Sequence, residues 1–185
     1  MASRKVFVQM GRTKSQKSKK AHSSAFKGNL QGKSPDSVLS LAVAETRKAA
    51  QGGDARAQYL LGLAYAEGSG VRADAQEAFH YCLKAAEMGL AEAQCTVAAL
   101  YRMGLGCEQN NAQALLWWQK AAEQAEPIAQ YYYGMALFKG QGVPQNAARG
   151  FCLLRAAAKQ GVADAAQLLR TPELIDFALH YSEEK

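Results

Sequence analysis

The sequence predicts an all-α solenoid, and three observations carry that expectation. First, the stretch Ala57–Glu92, AQYLLGLAYAEGSGVRADAQEAFHYCLKAAEMGLAE, returns in changed form as Ala93–Ile128 and Ala129–Asp164, so one pattern recurs every 36 residues without a gap. A fixed period of about 20 to 50 residues marks a stacked repeat array. Second, each copy holds two helical patterns joined by a G-x-G turn. Third, small residues occupy the same positions in every copy, as a stack of closely approaching helices requires. The expected architecture is about three full helix-turn-helix repeats with capping helices at both ends.

Taken in order, residues 1–34 form a basic arm rich in Lys, Ser, Gly and Gln. Its apolar points (Val6, Phe7, Val8, Met10, Phe26) are too few to offset the entropy of ordering the backbone, so a largely disordered segment is expected. Ser34-Pro35-Asp36 is a helix start, with a capping Ser, Pro at the first helical position and an acid in the first turn. That helix ends at Gly52-Gly53 and is the second half of a degenerate leading repeat. Residues 35–56 therefore cap the first full copy, and the solenoid as a whole spans 35–185.

In the first copy, helix A is expected over Ala55–Glu67, with Gly68 closing it and Gly70 allowing a sharp turn. Asp74 caps helix B, which runs to about Met88 and stops at Gly89. Asn110 and Asn146 are the later caps, and Pro144 lies between helices, where it breaks nothing. Ala57, Ala93, Ala129 and Ala165 share one position, and Gly62, Ala98 and Gly134 another. Tyr65, Tyr101 and Leu137 in helix A, with Tyr81, Trp117 and Leu153 in helix B, are the large side chains that fill the space between. Ala125 and Pro127 make the turn after the middle copy the most irregular one. A fourth copy begins at Ala165 and stops within two turns. Thr171-Pro172-Glu173 then starts a closing helix, Pro172–Tyr181, whose Leu174, Phe177, Ala178 and Tyr181 form one apolar stripe. Residues 165–185 make the second cap, with Ser182–Lys185 frayed.

The charge is unevenly spread. Of 22 Lys and Arg, nine lie in residues 1–35, which hold no acid; the remaining 13 face all 16 Asp and Glu, a net of −3. A mildly acidic body thus carries a basic arm, with Arg4, Lys5, Arg12, Lys14, Lys17, Lys19 and Lys20 at its centre. Such an arm gains affinity for phosphates by counterion release, and it equally suits an anionic surface or an acidic protein. No run approaches the roughly 18 apolar residues that span a bilayer, and no secretory core is present at the N-terminus. The arm partly fits a mitochondrial presequence. Cys82, Cys95, Cys107 and Cys152 form no C-x-x-C pair and recur at no single repeat position, so reduced thiols filling small apolar spaces are expected, in a cytoplasmic setting, with a mitochondrial one as the alternative.

Chemistry-bearing patterns are absent. His80 and Cys82 stand two apart on a helix, which points them in different directions and makes a poor metal pair. The G-x-G turns follow no strand and lack the Lys-Ser/Thr of a phosphate loop. The expectation is a non-enzyme without cofactor or metal.

The pattern A-Q-Y-x-L-G-x-x-Y-x-x-G-x-G-V, an Asp or Asn cap, then A-x-x-x-Y/W-x-x-K-A-A-x-x-G resembles the Sel-one-like repeat family, a relative of the tetratricopeptide repeat. The resemblance covers Ala57–Asp164. The middle copy departs most, with Ala98 for the family's Gly and Cys107 for its Val. The resemblance implies a right-handed solenoid that acts as a non-catalytic scaffold or adaptor and holds a protein partner along its concave face. By the same likeness, one face of helix A lines that surface: Arg56, Tyr59, Leu63 and Ala66; Glu92, Cys95, Ala99 and Arg102; Ile128, Tyr131, Met135 and Phe138. Tyr131, Met135 and Phe138 would present aromatic anchors and an adaptable Met, or else pack on the C-terminal cap. Arg102 would suit a carboxylate on a bound peptide, or stand as a solvated arginine. The alternative function is a nucleic-acid-associated accessory protein whose arm binds RNA or DNA phosphates.

Overall fold

A computed structural model describes residues 35–183, which hold nine helices and no strand. They are α1 Pro35–Gln51, α2 Ala55–Glu67, α3 Ala75–Glu87, α4 Ala91–Met103, α5 Asn111–Glu123, α6 Pro127–Lys139, α7 Ala147–Lys159, α8 Ala163–Leu168 and α9 Pro172–Glu183. The basic arm, from Arg4 and Lys5 through Lys33, and the last two residues lie outside the described part. The fold is the expected all-α repeat of consecutive helix-turn-helix pairs. The closing helix continues through Ser182 and Glu183 rather than fraying from Ser182 onward, since neither residue breaks a helix.

The chain divides into two compact units. One holds the described residues up to Leu90 together with Leu105–Cys107; the other holds Ala91–Gly104 and the residues from Glu108 onward. In the first, α1 packs on α2 and α2 on α3. In the second, α4 packs on α5, α5 on α6, α6 on α7 and α7 on α8.

Each hairpin is closed the same way. The N–H of the cap residue donates to a carbonyl near the end of the preceding helix: Asp74 to Tyr65 at 3.0 Å, Asn110 to Tyr101 at 2.9 Å and Asn146 to Leu137 at 2.9 Å. The cap side chains then accept from the first-turn amides, Asp74 from Gln76 (2.9 Å) and Glu77 (3.1 Å), Asn110 from Gln113 (3.0 Å) and Asn146 from Arg149 (2.9 Å). These bonds satisfy donors that a helix start leaves open. Gly106 of the second such turn also presses on α3. A Cβ placed on Gly106 would run into the backbone carbonyl of Ala75 and meet Phe79 Cβ at 3.0 Å, so no side chain fits there.

The small-residue positions are buried as the stack requires. Ala57, Ala93, Ala129 and Ala165 lie in the core, as do Ala85, Ala121 and Ala157. Tyr65 stacks on Tyr81 with ring centroids 5.7 Å apart. Tyr101, Trp117 and Leu153 pack around a core of Trp118, Tyr133 and Leu137.

The irregular turn after α5 keeps the geometry of the regular ones. Ala125 adopts φ 60°, the left-handed conformation that Gly89 (90°) and Gly161 (91°) hold in the other copies. Buried Glu126 caps α6 by accepting from the N–H of Ala129 at 2.7 Å, and Pro127 starts the helix. The strain of an L-residue at positive φ is offset there by the cap and by the Pro.

A second device recurs across that unit. Buried Gln94 and Gln130, in the first turn of their helices, each accept from a Gln at the end of the next helix: Gln124 Nε2 to Gln94 Oε1 at 2.8 Å, and Gln160 Nε2 to Gln130 Oε1 at 2.9 Å. In the first copy the residue matching Gln124 is Met88, and Gln58 Oε1 is buried without a partner. The Gln58 side chain instead donates from its Nε2 to Ala50 O, at 3.2 Å.

Two stability changes follow from these contrasts. Ala125→Gly relieves the left-handed strain and is expected to stabilise by about 1 kcal/mol. Met88→Gln supplies the missing donor to Gln58 and is expected to add about 1 kcal/mol. Each should raise the melting temperature by about 3 °C in a thermal scan. A fall in either variant contradicts the corresponding contact.

Candidate functional site

The helix-A series divides between the two units. Arg56, Tyr59, Leu63 and Ala66 lie on α2 in the first, with Arg56 exposed and the other three half-buried. On α4 and α6, in the second, Glu92, Arg102, Ile128, Tyr131, Met135 and Phe138 are half-buried. Cys95 and Ala99, expected on the same surface, are buried. Every residue from Ala93 to Leu100 is enclosed, because α4 is apolar or small nearly all round. The α4 contribution to an open surface is therefore confined to its ends, Glu92 and Arg102.

Tyr131, Met135 and Phe138 pack around Phe151, Leu154 and Leu174, with Phe177 and Ala178 of α9 against the same cluster. Phe138 meets Phe177 edge-on at 5.4 Å, and Phe177 meets Phe151 at 5.5 Å. The closing helix therefore covers part of this stripe and leaves part open. Ile128 packs on the core around Trp118 and Tyr133.

Arg102 is not a solvated surface arginine. Its guanidinium carbon lies 4.8 Å from the Tyr132 ring centroid and 5.5 Å from that of Trp118. Those two rings stack on each other at 4.6 Å, and Tyr131 meets Tyr132 edge-on at 5.0 Å. A cation above ring faces is held by their quadrupoles. The loop fixes the backbone beneath: Gln109 Nε2 donates to Arg102 O at 2.9 Å, and Gln145 Nε2 does the same for Phe138 O at 3.0 Å. Arg102, Tyr131, Met135 and Phe138 thus belong to one continuous set of contacts, reached through Tyr131 and Tyr132.

Trp118 and Tyr132 carry no expectation from the sequence, yet they build this platform. A signal exists in the register. Position 118 is Cys82 and Leu154 in the other copies, and position 132 is Leu60 and Thr96. Only this repeat junction places large aromatics at both.

Burial is the first cause that pushes the Tyr131 phenol above its ordinary value. The charges of Asp164 and Tyr132 push the same way, and Arg102 opposes them. Among the cysteines, Cys82 and Cys95 fill buried space as expected, Cys107 is half-buried and Cys152 is exposed. The expectation for Cys152 fails because its position faces solvent in every copy, occupied by exposed His80 and by Leu116 at 52% exposure. All four thiols are free. No helix among the described residues is long and apolar enough to cross a membrane.

Tandem helix pairs with capped, G-x-G-linked hairpins define an α/α-repeat protein. The Sel1 repeat model matches residues 55–90, 91–126 and 127–162, more than half of the chain, and the chain belongs to the Sel1 repeat family. Those segments begin where α2, α4 and α6 begin, two residues before the frame read from the sequence. Among solved structures, a Sel1 repeat protein from Oxalobacter formigenes matches with TM-score 0.65 and 28% identity, over 70% of this chain and 53% of that one. The protective antigen c5321 of uropathogenic Escherichia coli, which displays an SLR fold, matches with TM-score 0.66 and 34% identity, over 71% and 28%. Helicobacter pylori cysteine rich protein B shares the fold, with TM-score 0.53, 21% identity and 69% and 96% coverage. The chain thus spans about half and about a quarter of the lengths of the first two. A search of curated proteins finds no match. Sel1 repeat proteins are generally protein-interaction scaffolds without catalytic activity.

Thiol chemistry checks this account of burial. Burial pushes Cys82 from an ordinary 9.0 up to about 12. At pH 8 a disulfide reagent should modify Cys152 within the native protein and reach Cys82 only after unfolding. A raised folded-state value stabilises fully below pH 9 and is lost as pH climbs through about 12. The alkaline fall in stability should therefore be shallower in Cys82→Ala, measured by urea unfolding across that range.

Proposed function

We propose that this chain is a non-catalytic scaffold or adaptor that holds a protein partner against the helix-A series. The observation that carries this reading is the half-buried stripe Tyr131, Met135 and Phe138, joined through Tyr131 and Tyr132 to the cation of Arg102. Rigid aromatic anchors with a polarisable Met and a planar cation are the residue types that dominate binding energy at protein interfaces. Glu92 and Ile128, in the same unit, extend the proposed contact, and Arg56, Tyr59 and Leu63 are proposed as contact residues of the first unit at matching repeat positions. The basic arm, with Arg4, Lys5, Arg12, Lys14, Lys17, Lys19 and Lys20, serves as a secondary contact. Four free thiols suit a reducing, cytoplasm-like compartment.

A pull-down with full-length protein and with residues 1–33 deleted tests the reading. Partner capture should survive the deletion and change little with salt. It should fall at least about tenfold in the Tyr131→Ala/Met135→Ala variant, whose helix content is checked by circular dichroism. If deletion abolishes capture and wild-type affinity falls steeply with salt, the arm leads instead and the partner is nucleic acid or another polyanion.

A further inference from the structure

We propose that Arg102 is the receptor for a carboxylate, supplied by an acidic segment of the protein partner. The inference rests on the scaffold reading and names the chemistry the scaffold selects. Arg102 ends α4, at a position that is Ala66 in the first copy and Phe138 in the third, so the repeat does not require a charge there. No carboxylate pairs with it among the described residues, although an arginine fork matches a carboxylate with two parallel hydrogen bonds. Its Nε is buried and has no acceptor. The Nε1 of Trp118, the ring beneath it, is also buried without an acceptor, and Trp118 is only 4% exposed. Two N–H donors in one cluster, neither satisfied, are a rarity in a folded protein and costly to leave so. The aromatic floor holds the guanidinium half-buried, where solvent screens its charge less than at an open surface.

The chemistry favours a lone carboxylate over a polyanion. Among the described residues Arg102 is the one cation set over the Trp118 and Tyr132 rings, whereas phosphate chains are bound by several. The stripe of Tyr131, Met135 and Phe138 alongside suits the apolar side chains flanking an Asp or Glu in a peptide.

Two pools of short peptides test this. One alternates Asp and Glu with Leu, Tyr and Ser; the other carries Asn and Gln in place of the acids. Binding to full-length protein is read by fluorescence anisotropy. The Arg102 Nε–H and Trp118 Nε1–H resonances are followed in the ¹⁵N-labelled protein, with sodium acetate and inorganic phosphate as simple probes. The acidic pool should bind about tenfold tighter than the amide pool. Arg102→Gln should erase that preference, and Arg102→Lys should restore only part of it. Acetate should move both resonances in a saturable way. Equal affinity for the two pools overturns the carboxylate site and leaves the scaffold reading standing. Phosphate acting at lower concentration than acetate also overturns it. If neither pool binds while acetate still moves both resonances, the occupant is a free carboxylate and the acidic protein segment is overturned.

Discussion

The structure depends on how closely the two helices of a repeat approach. Where helix A crosses helix B, one side must be nearly bare. A Cβ on Gly62 would lie 2.6 Å from Cys82 Sγ and 3.1 Å from Ala78 O; a Cβ on Gly134 would lie 3.0 Å from Gly150 O. At such separations the backbones themselves are in contact, and dispersion between them replaces side-chain packing. Larger residues are displaced to the flanks, where the stacked Tyr65–Tyr81 pair and the cluster around Trp118, Tyr133 and Leu137 fill the remaining volume. The hairpin bonds from Asp74, Asn110 and Asn146 fix the phase at which each crossing occurs.

Most of the fold was legible because its punctuation is local. Asp74, Asn110 and Asn146 announce helix starts through hydrogen bonds spanning two or three residues, and Gly68 and Gly140 announce ends through their own backbone. The site was legible only in part. Tyr131, Met135 and Phe138 were visible as a helical stripe, but their contact with α9 depends on a helix outside the repeat. The posture of Arg102 was not visible at all, since it depends on rings from two other helices. Cys152 was misread because its thiol was weighed by residue type, when its register with His80 and Leu116 already placed it in solvent.

Repetition also separates structural residues from those with another reason to be present. Ala93 or Gln94 is explained by its copies. Arg102, Trp118 and Tyr132 are not: their counterparts are small or aliphatic, apart from Phe138, the polar Thr96 and Cys82. Three departures from the pattern fall on one aromatic–cation cluster, at a junction where Ala98 also replaces glycine. The regular repeats act as a frame, and chemical individuality is concentrated where the frame is least regular.

The turn at Ala125 has a consequence for growth of such chains. Although its residue is wrong for a left-handed backbone, it leaves the chain in the same conformation as Gly89 and Gly161. Every 36 residues the polypeptide therefore returns to the left-handed region, ready to begin another helix. At these turns the backbone would meet a segment added or removed in whole multiples of 36 residues in the same left-handed region. Relatives about 1.3 and about 2.5 times as long, from aligned shares of 70% against 53% and 71% against 28%, are what such a modular grammar permits.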